Sequence, residues 1–144
     1  MKRNFTLLVL LIALISSLSY GQESSINSYS NQFIENCIRE VFQDKANELV
    51  FNSNSRRLSA IQDFFKNRLE IVSYKQEYEQ KDLIKLSSIG LSNKYNSQLT
   101  RDVSFNQSTF NPLKYKLDIF PGNTVMYKVD NTDYIIIIKP SRNK

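Results

Sequence analysis

The run VDNTDYIIIIKP, Val129 to Pro140, sets four consecutive isoleucines between a polar turn and a Lys-Pro stop. A bilayer-spanning helix needs about 20 apolar residues, and a transmembrane barrel needs many more strands than 144 residues of this pattern supply. The isoleucines are therefore read as core. With Asn131 and Thr132 central in the turn, Val129 faces Tyr134, Tyr127 faces Ile136 and Val125 faces Ile138, giving one apolar face. Met126 and Lys128 face Ile137 and Ile135, so the second face is half apolar. This predicts a C-terminal hairpin whose last strand is interior, covered by helices on one side and partly on the other.

Lys139-Pro140 ends the strand and discourages further pairing. The alternative keeps YIIII as an adhesive edge and makes the protein a strand-donating assembly subunit. The turn Asp130-Asn131-Thr132-Asp133 has two acidic residues and no glycine, so it reads as an Asx-bonded turn and not as a calcium loop.

Working back from the hairpin, Pro121-Gly122-Asn123 turns the chain. Lys114 to Ile119 alternates before it, with Tyr115, Leu117 and Ile119 on one face and Lys114, Lys116 and Asp118 on the other. Asn93 to Pro112 has no period, is rich in asparagine and carries well-spaced aromatics. Unstructured loops of this length are functional or disordered, and the aromatics argue against disorder. We read 93–112 as a surface loop pinned by Phe105 and Phe110. Asp82 to Leu91 reads as an irregular strand, and YKQEYEQK (74–81) as a solvated connection.

The N-terminal half is helical. Phe33, Ile34, Cys37, Ile38, Val41 and Phe42 fall on one face of a helix expected over Ile26 to Lys45 after Ser24-Ser25. Leu49-Val50-Phe51 fits a last buried turn or a short strand, and Asn52 to Ser55 offers N-caps. Arg56 to Arg68 places Leu58, Ile61, Phe64, Phe65 and Leu69 at helical spacing, and Leu69 to Tyr74 alternates as a strand leaving that helix directly. The fold class that follows is α+β: two N-terminal helices packed on a small, mainly antiparallel sheet ending in a C-terminal β-hairpin.

Lys2 and Arg3 precede the apolar run LLVLLIALI (Leu7 to Ile15), with Ser19 and Gly21 at the −3 and −1 positions before Gln22. This is the layout of a secretory signal peptide over 1–21, cleaved near Gly21, which leaves 22–144 as a single domain in the periplasm or outside the cell. An uncleaved anchor is the alternative. Removing Met1 to Gly21 takes away two positive charges, leaving 17 Lys+Arg against 14 Asp+Glu, a net +3 in place of +5. That balance is spread along the chain without the clustering a nucleic-acid partner needs. The ending Ser-Tyr-Gly-Gln, with the order export signal, two helices, Asn-rich loop and closing hairpin, resembles small exported proteins of Bacteroidota that have no assigned activity. The resemblance implies a location and no mechanism.

Chemistry is bounded by absences. The chain has no histidine, one cysteine and three glycines. It therefore lacks the Ser-His-Asp triad, the Cys-His dyad, the Cys/His zinc site, the P-loop and the dinucleotide fingerprint. A single Cys in an exported chain forms no internal disulfide, and Cys37 reads as a buried hydrophobe. No catalytic residue, metal ligand or cofactor site is assigned. A carboxylate-based hydrolase is the enzymatic alternative, with Glu77, Glu79 and Asp82 as carboxylates that could pair, on a polar stretch that otherwise reads as a solvated face. The candidate binding residues are Tyr95, Arg101, Phe105, Phe110, Lys114 and Lys116. With Lys94, they would form a cationic, aromatic-lined surface for an envelope protein, an anionic glycan or a lipid headgroup. The sequence reading is a non-catalytic exported binding protein of the cell envelope.

Overall fold

The structure, a computed structural model, describes residues 29–52, 55–74 and 83–141. The expected signal peptide, the helix start at 24–28, most of the 74–81 connection and the last three residues lie outside these.

Helix α1 (Asn31–Phe42) is capped by Ser30, whose Oγ accepts from Phe33 N at 3.1 Å. Its start therefore falls later than the sequence suggested, because Tyr29 and Ser30 are not helical. Ile34, Cys37, Ile38 and Val41 form its buried stripe, the i, i+3, i+4, i+7 set of an amphipathic helix. At Gln43 the backbone takes φ 49° and the helix stops. A 3-10 turn (Gln43–Lys45) and a π turn (Asn47–Phe51) follow, so Leu49-Val50-Phe51 is helical and not a strand. Helix α2 (Arg56–Asp63) is capped by Ser55 Oγ, which accepts from Arg57 N. It continues as a π turn, Phe64–Arg68. The wider turn lets the adjacent Phe64 and Phe65 both face inward and draws Arg68 in with them.

Strand β1 (Leu69–Ser73) leaves that turn directly. Strands β2 (Ile84–Lys85), β3 (Val125–Lys128) and β4 (Tyr134–Ile138) complete a four-stranded sheet in the order β1-β4-β3-β2. The β3–β4 hairpin has the expected register: Val125 opposite Ile138, Tyr127 opposite Ile136 and Lys128 opposite Ile135. Asn131 takes the left-handed conformation at φ 57°, which Asn tolerates better than most residues. β4 is interior, antiparallel to both β1 and β3, while β2 pairs with β3 in parallel. The expected irregular strand at 82–91 shortens to β2, a 3-10 turn (Leu86–Ser88) and a bridge from Leu91 to Tyr115.

One sheet face, carrying Leu69, Ile71, Tyr127, Val129, Ile136 and Ile138, joins the buried residues of both helices in one core. The loop predicted over 93–112 carries no helix or strand until its last residue, Pro112. It is pinned as expected: Phe110 is buried, and Phe105 packs between Phe110 and Tyr134 with ring centroids 5.1 and 5.2 Å away. Gln107 Nε2 also donates to Ile71 O on β1. Among the described residues, no helix is long and apolar enough to cross a membrane.

Candidate binding cleft

The segment that carries the predicted lysines begins with a capped turn. Asn111 Oδ1 accepts from Leu113 N at 3.0 Å and Pro112 opens a 3-10 turn, Pro112–Lys114, the place where a proline's missing N–H costs nothing. From Tyr115 the chain is extended beside residues 90–92, with Ser92 N donating to Lys114 O and Lys116 N to Gly90 O. Tyr115 and Leu117 then point inward, and Lys116 and Asp118 outward, as the alternation implied.

Lys114 departs from that pattern because it belongs to the turn. It is 6% exposed, so it and Lys116 do not share a face. Its ammonium is bonded to Asp102 Oδ1 and lies 3.6 Å from Glu40 Oε1. Burial pulls the Lys114 pKa down, but the bond and charge of Asp102, with Glu40 behind it, outweigh burial and raise it. Asp102 Oδ2 also accepts from Tyr115 Oη at 3.1 Å, and Tyr115 is raised by burial. Asn111, itself buried, donates to Cys37 O and Glu40 Oε2. This polar knot ties the loop to α1.

Of the other predicted binding residues, Arg101, Phe105 and Phe110 are linked through Tyr115, whereas Tyr95 packs on the last residue of α1. Tyr95 stacks on Phe42 at 5.6 Å, with the Lys94 ammonium 5.1 Å from its ring. Arg101 lies over Tyr115 and donates to the carbonyls of Leu86 and Ile89. Phe105 and Phe110 belong to the core packing. These residues do not form one continuous cationic surface.

Two concavities flank them. One, about 220 Å³, lies beside the β3–β4 turn and includes Arg101, Asp102, Val103, Phe105 and Asp130. Its two carboxylates are committed to the protein. Asp102 holds Lys114 and Tyr115, while Asp130 accepts from Ser87 N and Oγ at 2.8 and 2.9 Å. Burial would raise Asp130, but the Ser87 bonds prevail and hold it below the usual carboxylate range. An acid-base pair needs one carboxyl shifted upward to stay protonated, and Asp130 moves the other way. The cysteine offers no nucleophile either: burial, then the charge of Glu40, pushes the Cys37 thiol up to about 12, far from the depressed values of reactive thiols.

The second concavity, about 240 Å³, opens between the end of α1, the start of α2 and residues 113–120. Val41, Ile61, Leu113 and Leu117, all buried, form its floor, and Phe42 and Tyr115 stand beside them. Arg57, Lys116 and Phe120 are exposed on its lining, Phe120 at 59%. Among the described residues neither Arg57 nor Lys116 makes an ion pair, although five other cations do. Behind the Ile119–Phe120 wall lies Arg68. It is bonded to Asp63 and to Ile119 O and packed under the Phe120 ring at 5.2 Å, and its Nη2 is buried without a partner among the described residues.

Of the predicted binding residues, only Lys116 lines this cleft. Arg57 and Phe120, which also line it, were not among them, because the cleft is assembled from segments far apart in sequence. One local signal existed. Arg56-Arg57 occupies the first turn of α2, which has no acidic residue, and cations there oppose the helix dipole at a cost of about 0.3–1 kcal/mol each. Searches for similarity return no matching family model, no matching curated protein and no matching solved structure.

Proposed function

We propose that this chain is a non-catalytic, exported binding protein of the cell envelope, and that the 240 Å³ cleft is where it binds. The observation that carries the reading is the pairing of an apolar floor with two exposed cations, Arg57 and Lys116, that make no ion pair among the described residues, and an exposed aromatic ring, Phe120. Concave apolar sites with a few placed polar groups are where small ligands settle. The export half of the proposal rests on residues 1–21: the basic start, the apolar run and the small residues before Gln22.

Two alternatives are less well supported. A donated hairpin strand would need a free edge, and β4 is hydrogen-bonded on both sides. The residues named for a carboxylate hydrolase, Glu77, Glu79 and Asp82, lie outside the described residues, and in the 220 Å³ concavity Asp130 is held low when a general acid would need raising. The test is retention of the purified protein by envelope fractions of its own source, compared with Arg57→Glu/Lys116→Glu. Retention lost in the variant supports the reading, and equal retention of both overturns it. Sequencing the N-terminus of the protein recovered from the source tests export separately, with Gln22 as the expected first residue.

A further inference from the structure

We infer that the cleft takes a single-chain amphipathic carboxylate, the alkyl tail of a fatty acid on the floor and its head between Arg57 and Lys116. This deepens the binding reading above and rests on it. The first argument is the sign of the polar groups. The polar side chains on the lining are Arg57, Ser92, Tyr115 and Lys116, and no Asp or Glu is among them. Tyr115 Oη is already committed to Asp102. What remains is two cations and a hydroxyl, a set that matches an anionic acceptor and repels an ammonium.

The second argument is the floor. Val41, Ile61, Leu113 and Leu117, with Ile119 on the wall beside them, offer no side-chain donor or acceptor. A sugar or a peptide strand laid there would lose its hydration without replacement, at a cost for each polar group. An alkyl chain loses nothing and gains from each methylene removed from water. The third argument is size. At about 240 Å³ the cleft falls below the range of roughly 300–1,000 Å³ of sites for drug-sized ligands. It has room for one short chain and not for the two of a membrane phospholipid.

The test is calorimetric titration of the purified protein with butyrate, hexanoate, octanoate, octanol and octyltrimethylammonium. Octanoate should bind, with affinity rising about fourfold per methylene along the carboxylate series and falling with added salt. Octyltrimethylammonium should not compete. Arg57→Gln/Lys116→Gln should weaken octanoate by roughly tenfold to a hundredfold and leave octanol unchanged. Since both side chains are exposed and make no ion pair among the described residues, the variant should keep the wild-type melting temperature. Equal binding of the ammonium, no dependence on chain length, or undiminished octanoate binding by the variant would each overturn the inference. If no carboxylate binds up to millimolar concentration while Arg57→Glu/Lys116→Glu still abolishes envelope retention, the carboxylate assignment fails and the binding reading stands. If both measurements are negative, both fail.

Discussion

Removing Asp102 should cost more than removing the lysine it holds. Lys114 is 8% exposed at its side chain, whereas Asp102 and Glu40 keep 31% and 44% of theirs in solvent. Asp102→Ala strands an ammonium inside the protein with only Glu40 at 3.6 Å, and it takes away the acceptor of Tyr115 Oη. Leaving a buried charge without its partner costs about 3–5 kcal/mol. The remaining Glu40 places this case near the lower end, about 3 kcal/mol, or roughly 10 °C in Tm for a domain of this size. Lys114→Met leaves two carboxylates that water already reaches and that Tyr115 and Asn111 still bond. It should cost only about 1–2 kcal/mol. The double variant should resemble Lys114→Met, because the stranded charge is gone. Urea unfolding of the four proteins at pH 7, with slopes compared, gives the cycle.

The pH dependence adds a check. A folded-state pKa raised above the unfolded one stabilises fully below the ordinary lysine value and loses that contribution as pH rises through the raised value. The gap between wild type and Asp102→Ala should therefore narrow above about pH 10.5, the ordinary lysine value. Equal losses in the two single variants, or a larger loss in Lys114→Met, would refute the claim that the lysine is the desolvated member.

Asn111→Ala removes three hydrogen bonds from a buried side chain, two of them to α1; it should cost about 2–3 kcal/mol by urea unfolding. Cys37 should resist thiol reagents at pH 8 in the folded protein and react stoichiometrically in urea, since it is 3% exposed and its pKa is pushed up to about 12. Asn131→Val should cost about 1–2 kcal/mol and Asn131→Gly almost nothing, because the residue sits at φ 57°. Asp63 is lowered by its bond from Asn67, assisted by Arg68 against the opposing effect of burial, and Asp130 is lowered by Ser87. Their contributions are complete above the ordinary carboxylate range and disappear as pH falls through the lowered values. Asp63→Asn/Asp130→Asn should thus unfold with a shallower acid limb below about pH 4.

The hairpin was legible because two independent patterns agreed, the period-two apolar face of Val125, Tyr127 and Val129 and the polar turn that sets their partners. The rings pinning the long loop were legible because aromatics in a polar stretch must be buried somewhere. Lys114 was misread because Lys114, Lys116 and Asp118 fit a strand face, and Asn111-Pro112, the sequence mark of a capped turn, was not given priority over that alternation. The parallel pairing of β2, two residues long, leaves no local trace. The cleft depends on tertiary contacts among α1, α2 and 113–120, so only the basic doublet opening α2 hinted at it.

The interior place of β4 shapes how the molecule assembles. β1 and β3 do not touch each other; each waits for the isoleucine strand, whose partners in β1 lie roughly sixty to seventy residues earlier in the chain. The sheet therefore closes only after the last of its four strands has been synthesised, and it closes slowly. Until that strand arrives, β1 has no hydrogen-bonded neighbour in the sheet, and the two halves of the fold stay unjoined there.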